Sequence, residues 1–461
     1  MWICSQIGAR EHYAIPRALR QTGRLATLYT DFWAGRALRR AQELVDGRWK
    51  LGALRSLAGR YHPEMDASRG RKASGQWSVV SGRSSLVHSW NLRALWWEML
   101  LRKKQKLGKQ KAEIGGQKSE VRSQWSAAVG PYQGFIEVGR RFAECVREDL
   151  KRRKDLGPDT IFFAYDTGAL ETMEWCREQG IQCVLNQMDP NRVEVELVRS
   201  EEKQWPGWSL ESIHVPEAYF ARREREWALA DRVVVNSEFS RKALFQQGVP
   251  AEKVLVIPLC YERELGDGSQ KSGVSRQWSS GSRGASPLRV LFLGQVILRK
   301  GIQYLLAAAR QMERQNIHFD VVGSIGISKQ AIATAPANVT FHGRAGRDQA
   351  SDWYRRSHLF VLPTISDGFA ITQLEAMAHG LPVITTPCCG EVVSDSMDGF
   401  IVPSRDPGAL VMILQRYIAE PGLLPAHRSA ALEKSRQFTL GRLAENLRQL
   451  EKNLKSDTLT R

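Results

Sequence analysis

The sequence predicts an α/β protein made of two doubly wound, Rossmann-like domains that face each other across a cleft. In both halves of the 461-residue chain, short apolar runs typical of buried parallel strands alternate with stretches of helical periodicity. Between the halves, residues 263–287 are rich in Gly, Ser, Gln, Lys and Arg, a composition typical of a flexible linker. A chain of this length accommodates two domains of about 200 residues, each with a full hydrophobic core.

Basic residues dominate the charge of the chain, since 66 Lys and Arg against 49 Asp and Glu give a formal net charge of +17. Such a surface suits nucleic acid, anionic lipid or a phosphorylated ligand, and the charge alone does not choose among them. Because no nucleic-acid recognition motif accompanies the basic residues, we expect no nucleic-acid partner.

The cysteines and the hydropathy of the chain bear on its compartment. The seven cysteines are odd in number and lack the spacing of a zinc site or a redox motif, which favours a reducing cytoplasm. The N-terminus shows no signal-peptide pattern, and no apolar run approaches the ~18–20 residues of a membrane span. We therefore expect a cytoplasmic protein that meets a membrane only from the surface, at its inner face.

The first domain is predicted to span residues 1–262. It begins with a strand at Trp2–Ser5, a turn at Gly8, and a helix from Tyr13 to Leu19. Later elements follow from apolar periodicity and turn residues. They are helices at 131–150 and 224–230, strands at 159–166, 182–187, 232–235 and 254–259, and a helix N-cap at Ser237.

Residues 92–125 allow two interpretations. Residues 92–100 have apolar side chains, including Trp96, at helical spacing, and they run into a basic, poorly ordered insert at about 101–125. One interpretation is a helix packed on the first domain and followed by a solvated loop, which is the usual role of an amphipathic helix. The other is peripheral contact with an anionic membrane. We prefer the first.

Polar side chains follow two predicted strands of the first domain. Tyr165 and Asp166 end one strand, and Gln187 and Asp189 end or follow the next. Ligands of open α/β sheets collect beyond the carboxyl ends of the strands. Asp166 therefore has two interpretations: it contacts a ligand in the cleft, or it caps the helix that follows.

The second domain is predicted to span residues 288–430. It opens with a strand at Leu288–Leu293, a turn at Gly294, and a helix from Gly301 to Met312. Further elements share the same strand–helix alternation. They are strands at 319–322, 339–343, 359–362 and 383–384, the first of them ending in the Gly-rich loop at Gly323, and helices at 348–356 and from 371.

The most informative stretch is residues 366–384, in which a loop leads into a helix that begins near Ile371 and is ended by Gly380. Asp367 lies in the loop and Glu375 inside the helix. Between them are the backbone N–H groups of the helix start, which lack intrahelical partners and carry the positive end of the helix dipole. Since such a terminus binds phosphate and carboxylates accept sugar hydroxyls, the stretch predicts a nucleotide-sugar pocket.

This stretch resembles the signature of the family 4 retaining glycosyltransferases, which have the GT-B fold. The family pattern is Glu-Gly-Phe-Gly, a short spacer, and then Glu-Ala-Met-Ala-x-Gly-x-Pro-Val. In this chain Asp367 stands for the first Glu and Ala370 for the second Gly, and the remaining positions match. The resemblance implies the GT-B fold, in which a C-terminal helix, here within residues 431–461, crosses back to the first domain.

The resemblance also implies a diphosphate site in the loop after the first strand of the second domain. This loop usually reads Gly-Arg-Leu-x-x-x-Lys-Gly, and Lys300 matches its Lys. Gln295 stands at the Arg position, so we expect the neighbouring Arg299 to supply the missing charge, because Arg can grip a phosphate in a bidentate way. Many members have His where Tyr165 or Asp166 stands, and Asp166 is our substitute for contacting the donor sugar or the acceptor hydroxyl.

Three groups of candidate site residues result. The candidate catalytic residues are Asp367, Lys300, Arg299 and Asp166. The candidate donor-binding residues are Glu375, Gly368, Phe369, Ala370, Ile371, Gln295, Gly294 and Gly323. By the resemblance, the loop after the first strand lies on the acceptor side, with Gly8, Arg10 and His12.

The resemblance implies transfer of a sugar, of hexosyltransferase type, from a nucleotide diphosphate-sugar to an acceptor with retained anomeric configuration. The acceptor is a glycan, a lipid-linked sugar or a small molecule, and a role in cell-envelope polysaccharide biosynthesis is expected. No Asp-x-Asp metal pair is apparent at the donor loop, so we expect neither a metal nor any cofactor besides the donor. Two alternatives remain: a catalytically degenerate scaffold or binding protein, and another GT-B chemistry such as a sugar-nucleotide epimerase or a phosphorylase.

Overall fold

The computed structural model describes residues 1–32, 63–65, 86–90, 131–262 and 286–459. Within these ranges the chain forms two parallel sheets, one of seven strands and one of six, with helices on their faces. The predicted α/β class with two doubly wound domains is thereby confirmed. The predicted helix at 92–100, the basic insert at 101–125, and the linker up to residue 285 lie outside the described residues.

The first sheet has the strand order β3-β2-β1-β4-β5-β6-β7, and every pairing in it is parallel. Its strands are β1 (Trp2–Gln6), β2 (Leu25–Thr30), β3 (Val87–Ser89), β4 (Ile161–Tyr165), β5 (Gln182–Asn186), β6 (Arg232–Val235) and β7 (Val254–Val256). The order reverses between β1 and β4, which pair in the register Trp2↔Ile161. A crevice opens at such a reversal, so the ends of β1 and β4 are where a ligand is expected.

Helices cover both faces of this sheet, and each face has its own apolar cluster. They are α1 (Ala14–Gln21), α2 (Pro131–Leu150), α3 (Leu170–Glu178), α4 (Arg192–Gln204), α5 (Glu217–Leu229) and α6 (Glu238–Gln246). The predicted bounds of α2 are confirmed, and so is the N-cap of α6, where the Ser237 hydroxyl accepts a hydrogen bond from the Ser240 N–H at 3.1 Å.

Helix α5 corrects two predictions at once. It begins at Glu217, a full two turns before the predicted start at residue 224. Its buried Glu226 accepts hydrogen bonds from the backbone N–H groups of Thr167, Ala169 and Leu170, so a carboxylate from another helix caps α3. The interpretation of Asp166 as that cap is wrong.

Burial raises the pKa of the Glu226 carboxyl to about 7, although its hydrogen bonds to the backbone and the charge of Arg222 oppose the shift.

The second sheet has the strand order β10-β9-β8-β11-β12-β13 and is also entirely parallel. Its strands are β8 (Leu288–Leu293), β9 (Ile317–Val322), β10 (Val339–Gly343), β11 (Leu359–Leu362), β12 (Val383–Thr385) and β13 (Gly399–Ile401). The order reverses between β8 and β11, whose side chains belong to one continuous buried core with the helices around them. The loops after β8 and β11 therefore flank the crevice of this domain.

Seven helices accompany and follow the second sheet in the described residues. They are α7 (Ile302–Gln311), α8 (Lys329–Ala333), α9 (Arg347–Arg356), α10 (Ile371–Ala378), α11 (Pro407–Ala419), α12 (Leu423–Ser435) and α13 (Leu440–Leu459). Gly380 adopts φ 74° just beyond α10, and Pro382 follows, as the sequence predicted for the end of this helix.

The last helix, α13, packs on the first domain rather than on the second. Its leucines at 440, 443, 447, 450 and 454 are buried in the cluster formed with Trp2, α1 and the strands of the first sheet. The indole N–H of Trp2 donates to Oε2 of Glu451 at 2.9 Å. The two ends of the chain are therefore joined in one core.

We expect Leu447→Ala to lower the free energy of unfolding by about 2–5 kcal/mol, because it removes a side chain that is 1 % exposed and leaves a cavity against the first sheet. Lys452→Ala, on the exposed face of the same helix, is the matched control and should change it little. Denaturant unfolding followed by tryptophan fluorescence measures both. Equal effects of the two substitutions would contradict the packing of α13 described above.

The second half of α4 attaches the first domain to the second. Glu201, fully buried, accepts hydrogen bonds from Nε2 of Gln303 at 2.8 Å and from the Tyr304 hydroxyl at 2.6 Å. Its other oxygen pairs with Nε of Arg405 at 2.5 Å. Beyond the helix, the carbonyl of Trp208 accepts from the Ser328 N–H at 2.7 Å. Since a buried carboxylate is stable only when its oxygens are satisfied, this contact fixes α4 on the second domain.

Two further findings concern membrane contact and cysteine chemistry. In the part of the chain that the structure describes, no helix combines the length and the apolarity needed to cross a bilayer. All seven cysteines fall within the described residues, and all seven are free thiols.

Candidate active site

The candidate site lies where the carboxyl ends of β8 and β11 meet the first domain. The loop after β11 comes so close to the loop after β5 that a Cβ atom on Gly368 would lie 1.9 Å from the carbonyl oxygen of Met188. Only glycine fits at that distance. The two domains therefore touch at the loop that bears the predicted signature.

Arg299 and Lys300 are presented by a single 3-10 turn, Leu298–Lys300, between β8 and α7. The next residue, Gly301, has φ 77°, and a Cβ atom there would lie 1.8 Å from the carbonyl oxygen of Pro363. This close approach sets the turn directly against the loop after β11. The Arg299 carbonyl accepts from the Ile365 N–H at 3.0 Å and from the Thr364 hydroxyl at 2.9 Å, which fixes the two loops together.

The structure brings three of the four candidate catalytic residues together. Lys300 forms an ion pair with Oδ2 of Asp367, and Nη1 of Arg299 lies 3.8 Å from Oδ1 of the same carboxylate. Nη1 of Arg299 also donates to the Ser366 carbonyl at 3.1 Å. Burial, and then the charge of Arg299, lower the pKa of Lys300 to about 7, whereas Cys389 and Glu194 oppose the shift.

The N-terminus of α10 lies beside these cations. Phe369 and Ala370 are buried, Ile371 opens the helix, and no side chain caps its start. The carbonyls of Cys388 and Cys389 accept from the N–H groups of Asp367 at 2.8 Å and Ala370 at 3.4 Å, so the paired cysteines support the loop through their backbone. An uncapped helix start next to Lys and Arg is a favourable place for an anion.

Glu375 is held by a neighbouring helix. Its Oε2 accepts a hydrogen bond from the hydroxyl of Tyr354 in α9 at 2.7 Å, and that tyrosine is 1 % exposed. Burial and the glutamate together raise the pKa of Tyr354 well above its usual value, so the phenol stays a hydrogen-bond donor. The carboxylate is thereby oriented, and it lies one to two turns into α10 from the helix start.

The remaining second-domain candidates line the neighbouring strand ends. A Cβ atom on Gly323 would lie 1.6 Å from the carbonyl oxygen of Gly294, so the loops after β8 and β9 approach each other closely at this pair. Gln295 is exposed next to them. Arg299, in contrast, lies within 3.8 Å of the Asp367 carboxylate.

Asp166 is the candidate that the structure places apart from this group. It forms an ion pair with the guanidinium of Arg223 from α5, which is 2 % exposed. The same guanidinium contacts Asp189 at 2.9 Å and the side-chain oxygen of Asn191 at 2.9 Å. The buried guanidinium of Arg223 thus joins the polar side chains that follow β4 and β5 in one cluster. Sequence reasoning missed it because Arg223 lies ahead of the predicted start of its helix.

The acceptor-side candidates surround the end of β1. Gly8, at φ 77°, donates its N–H to Oδ1 of Asp31 at 2.8 Å, which fixes the loop after β1. Arg10 and His12 lie in the 3-10 turn Arg10–Tyr13, and their side chains are outside the described residues. In the same turn, Glu11 accepts from the Tyr165 hydroxyl at 3.1 Å, so the ends of β1 and β4 do meet.

Sequence reasoning also missed Glu194, a residue of α4 that reaches the second domain. Its Oε2 accepts from the hydroxyl of Ser366 at 2.9 Å and lies 3.3 Å from Nη1 of Arg299. No motif marks this position, and only the packing of α4 against the 3-10 turn reveals it. The candidate site therefore holds two cations and a helix start opposed by carboxylates from both domains, an arrangement suited to a phosphate that carries a sugar.

A large open cavity borders this site, because Phe438 in its lining packs against Phe369 with the ring centroids 6.5 Å apart. It measures about 740 Å³ and is lined by residues 256–260 and 436–446, between the end of β7 and the start of α13. It contains none of the candidate residues, and we assign the chemistry to the cationic crevice instead.

Comparison with known proteins agrees with the geometry. Residues 287–420 match the family described as Glycosyl transferases group 1. A D-inositol 3-phosphate glycosyltransferase of Streptomyces griseus is 31% identical over 116 residues, 24% of this chain and 25% of that protein. The amylovoran biosynthesis glycosyltransferase AmsK of Erwinia amylovora is 23% identical over 265 residues, 53% of this chain and 62% of that protein. The chain thus spans between a quarter and two thirds of these relatives.

Solved structures match the whole chain. Sucrose-phosphate synthase from Thermosynechococcus elongatus aligns over 99% of this chain and 100% of its own, with a TM-score of 0.56 and 17% identity. Anabaena Alr3699/HepE, solved in complex with UDP and glucose, gives the same coverage and TM-score at 14% identity. These likenesses confirm the predicted GT-B fold. The second domain, residues 287–420, thus matches the group 1 glycosyl transferases, and the chain as a whole has the GT-B fold.

Proposed function

We propose that this protein transfers a sugar, of hexosyl type, from a nucleoside diphosphate-sugar to an acceptor, with retention of anomeric configuration. The observation that carries the proposal is the meeting of Arg299, Lys300 and the start of α10 around Asp367. Such a group of fixed positive charges and backbone amides stabilises a leaving diphosphate as its charge develops. Nearby, Glu375 is oriented to accept ribose hydroxyls.

Asp367 has a second task in this proposal. Its carboxylate forms an ion pair with Lys300. When a diphosphate pairs with Lys300 instead, the Asp367 carboxylate becomes available and accepts a hydrogen bond from a hydroxyl of the donor sugar. Asp is one methylene shorter than the Glu of the related signature, so we propose that it alters the choice of sugar.

The proposed transfer needs no side chain as general base, because the leaving diphosphate takes up the acceptor proton. The acceptor hydroxyl attacks the anomeric carbon on the face that the leaving group vacates, and the bond from that carbon to the diphosphate oxygen breaks. The acceptor proton passes to an oxygen of the β-phosphate, and the nucleoside diphosphate departs. Retention follows because attack and departure share one face. The charge of the leaving group is met by Arg299 and Lys300, so we propose a reaction that needs neither a metal nor a cofactor.

For the acceptor, we propose a chemical class rather than a single compound. One relative acts in amylovoran biosynthesis, and another is encoded in a cps region of Klebsiella pneumoniae. By analogy we propose a growing cell-envelope polysaccharide or its lipid-linked precursor as the acceptor, and a site of action on the cytoplasmic side of the membrane. The excess of basic residues is consistent with contact to anionic lipid.

Thermal unfolding with UDP, GDP, ADP and their sugar conjugates tests the donor site. A ligand at 100 times its dissociation constant adds about 2.7 kcal/mol of stability, so we expect one nucleoside diphosphate to raise the unfolding temperature. The shift should be the same in EDTA and in Mg²⁺, because the cations that meet the phosphates are side chains. The corresponding nucleoside monophosphate is the control and should act more weakly.

Three outcomes separate the alternatives. No shift with any nucleotide at millimolar concentration would contradict the donor site and favour a scaffold. Conversion of a donor sugar in the absence of any acceptor would favour an epimerase. Release of a sugar phosphate from a glycan on addition of inorganic phosphate would favour a phosphorylase.

A further inference from the structure

Glu194 belongs to the first domain, yet the structure places its carboxylate in the crevice of the second. Its oxygen contacts the Ser366 hydroxyl at 2.9 Å and Nη1 of Arg299 at 3.3 Å. The side chains of Glu194 and Arg299 are only 18% and 21% exposed. The Coulomb attraction within a partly desolvated pair is stronger than on an open surface, so the pair limits the availability of Arg299 for other anions.

This placement is built into the fold by the other end of α4. About two helical turns after Glu194, the buried Glu201 is held by three donors of the second domain, as described above. The carbonyl of Trp208 and the N–H of Ser328 extend the attachment beyond the helix. Because α4 is anchored in this way, Glu194 cannot leave the donor loop without moving the helix, so the contact breaks only if the side chain of Arg299 or of Glu194 turns away.

The charged groups around Glu194 determine how strongly a diphosphate binds beside it. Arg299 and Lys300 face it from the second domain, together with Asp367 beyond Arg299. Asp189 and Tyr132 face it from the first domain. A diphosphate that binds Arg299 and Lys300 must therefore compete with the Glu194 carboxylate for Arg299. The diphosphate and this carboxylate also repel each other because both are negative.

We propose that Glu194 is a positioning residue that sets the affinity for the donor diphosphate: through its contacts it holds Arg299 and Ser366 in place, and it yields Arg299 when a nucleoside diphosphate binds. This inference rests on the proposed function, because it takes the Arg299–Lys300 turn as the diphosphate site. It goes beyond that function in assigning a first-domain residue to the control of donor binding.

A pH dependence follows from the same geometry. Burial raises the pKa of Glu194 and Asp189 adds to this, while Arg299 opposes it. A bound diphosphate engages Arg299 and adds negative charge, and both changes raise this pKa further. Binding is then accompanied by proton uptake at Glu194, so its affinity falls as pH rises. The charge of Lys300 titrates in the same direction, but it is present in every variant used below.

The test is calorimetric titration of the full-length protein with UDP, GDP and ADP from pH 5.5 to 8, in buffers of different ionisation enthalpy. Three proteins are compared: the wild type, Glu194→Gln, and the control Glu196→Gln on the exposed side of α4. Glutamine keeps the bond to Ser366 and removes the charge. We expect Glu194→Gln to bind the preferred nucleotide about tenfold tighter at neutral pH, with fewer protons taken up, because removal of one opposing charge typically has that order of effect.

The possible results are distinct. Tighter binding and reduced proton uptake in Glu194→Gln alone would support the inference. Unchanged or weaker binding in that variant, with proton uptake like that of the wild type, would overturn it and leave Glu194 a structural contact, while the donor site itself stands. Absence of nucleotide binding in all three proteins would overturn the proposed function and this inference with it.

Discussion

Replacement of Lys300 by alanine is expected to lower kcat by about 10²–10³-fold, the usual cost of removing one fixed charge donor from a developing anion. The ammonium group is held at the site by its ion pair with Asp367, on a turn whose position depends on Gly301. In the proposed mechanism its charge lies where the diphosphate leaves. Turnover of the preferred donor, measured with the acceptor that supports transfer, gives the value.

Lys329→Ala is the matched control for this substitution, because Lys329 is an exposed lysine at the start of α8 in the same domain. It should leave kcat unchanged. If Lys300→Ala retained full turnover while its nucleotide binding was also intact, the assignment of this residue to the leaving group would be wrong. Loss of turnover together with unaltered folding, checked by thermal unfolding, is the result that the site requires.

Gly368→Ala is expected to reduce turnover by about 10²-fold while leaving nucleotide binding and the stability of each domain nearly intact. A Cβ atom at this position would lie 1.9 Å from the Met188 carbonyl, so the two domains must move apart to admit it. Arg299, Lys300 and Glu375 all belong to the second domain and keep their places. The acceptor side moves relative to the donor, and a displacement of about 1 Å is enough for an effect of this size.

Gly422→Ala provides the control, because a Cβ atom there meets no other atom within 4 Å. Titration with nucleoside diphosphate and a kcat measurement separate binding from transfer. Should Gly368→Ala lose nucleotide binding as well, the substitution would have damaged the donor loop rather than the spacing of the domains. Full turnover would show that the close contact at Met188 is unimportant for catalysis.

The elements that the sequence predicted best are those determined by residues close together in the sequence. The runs at β6, β8 and β11 are apolar except for Arg232 and Arg289, as expected of strands covered on both faces, and their observed bounds follow the pattern. The end of α10 is equally local, since Gly380 supplies the positive φ at which the helix stops. For the same reason the order of elements, and with it the fold class, could be predicted before any contact was known.

Contacts between distant segments could not be predicted in this way. The cap of α3 comes from Glu226, far along the chain, because no residue at the helix start provides it. Arg223 and Glu194 enter the site on helices that show no motif. The donor-loop candidates were found because a signature stretch carries them together. Their partners, such as Tyr354 for Glu375, depend on packing that periodicity does not reveal.

The joining of the two chain ends has a consequence for biosynthesis. The cluster around Trp2 needs the leucines of α13, which are synthesised only after the whole second domain. A nascent first domain therefore exposes the apolar surface of α1 until the second domain has been synthesised and α13 has left the ribosome. Domains generally fold as units during synthesis, N-terminal first, but here the first domain completes its core last. A ribosome-bound chain that stops before residue 440 should accordingly remain protease-sensitive in its first domain after its second has become resistant.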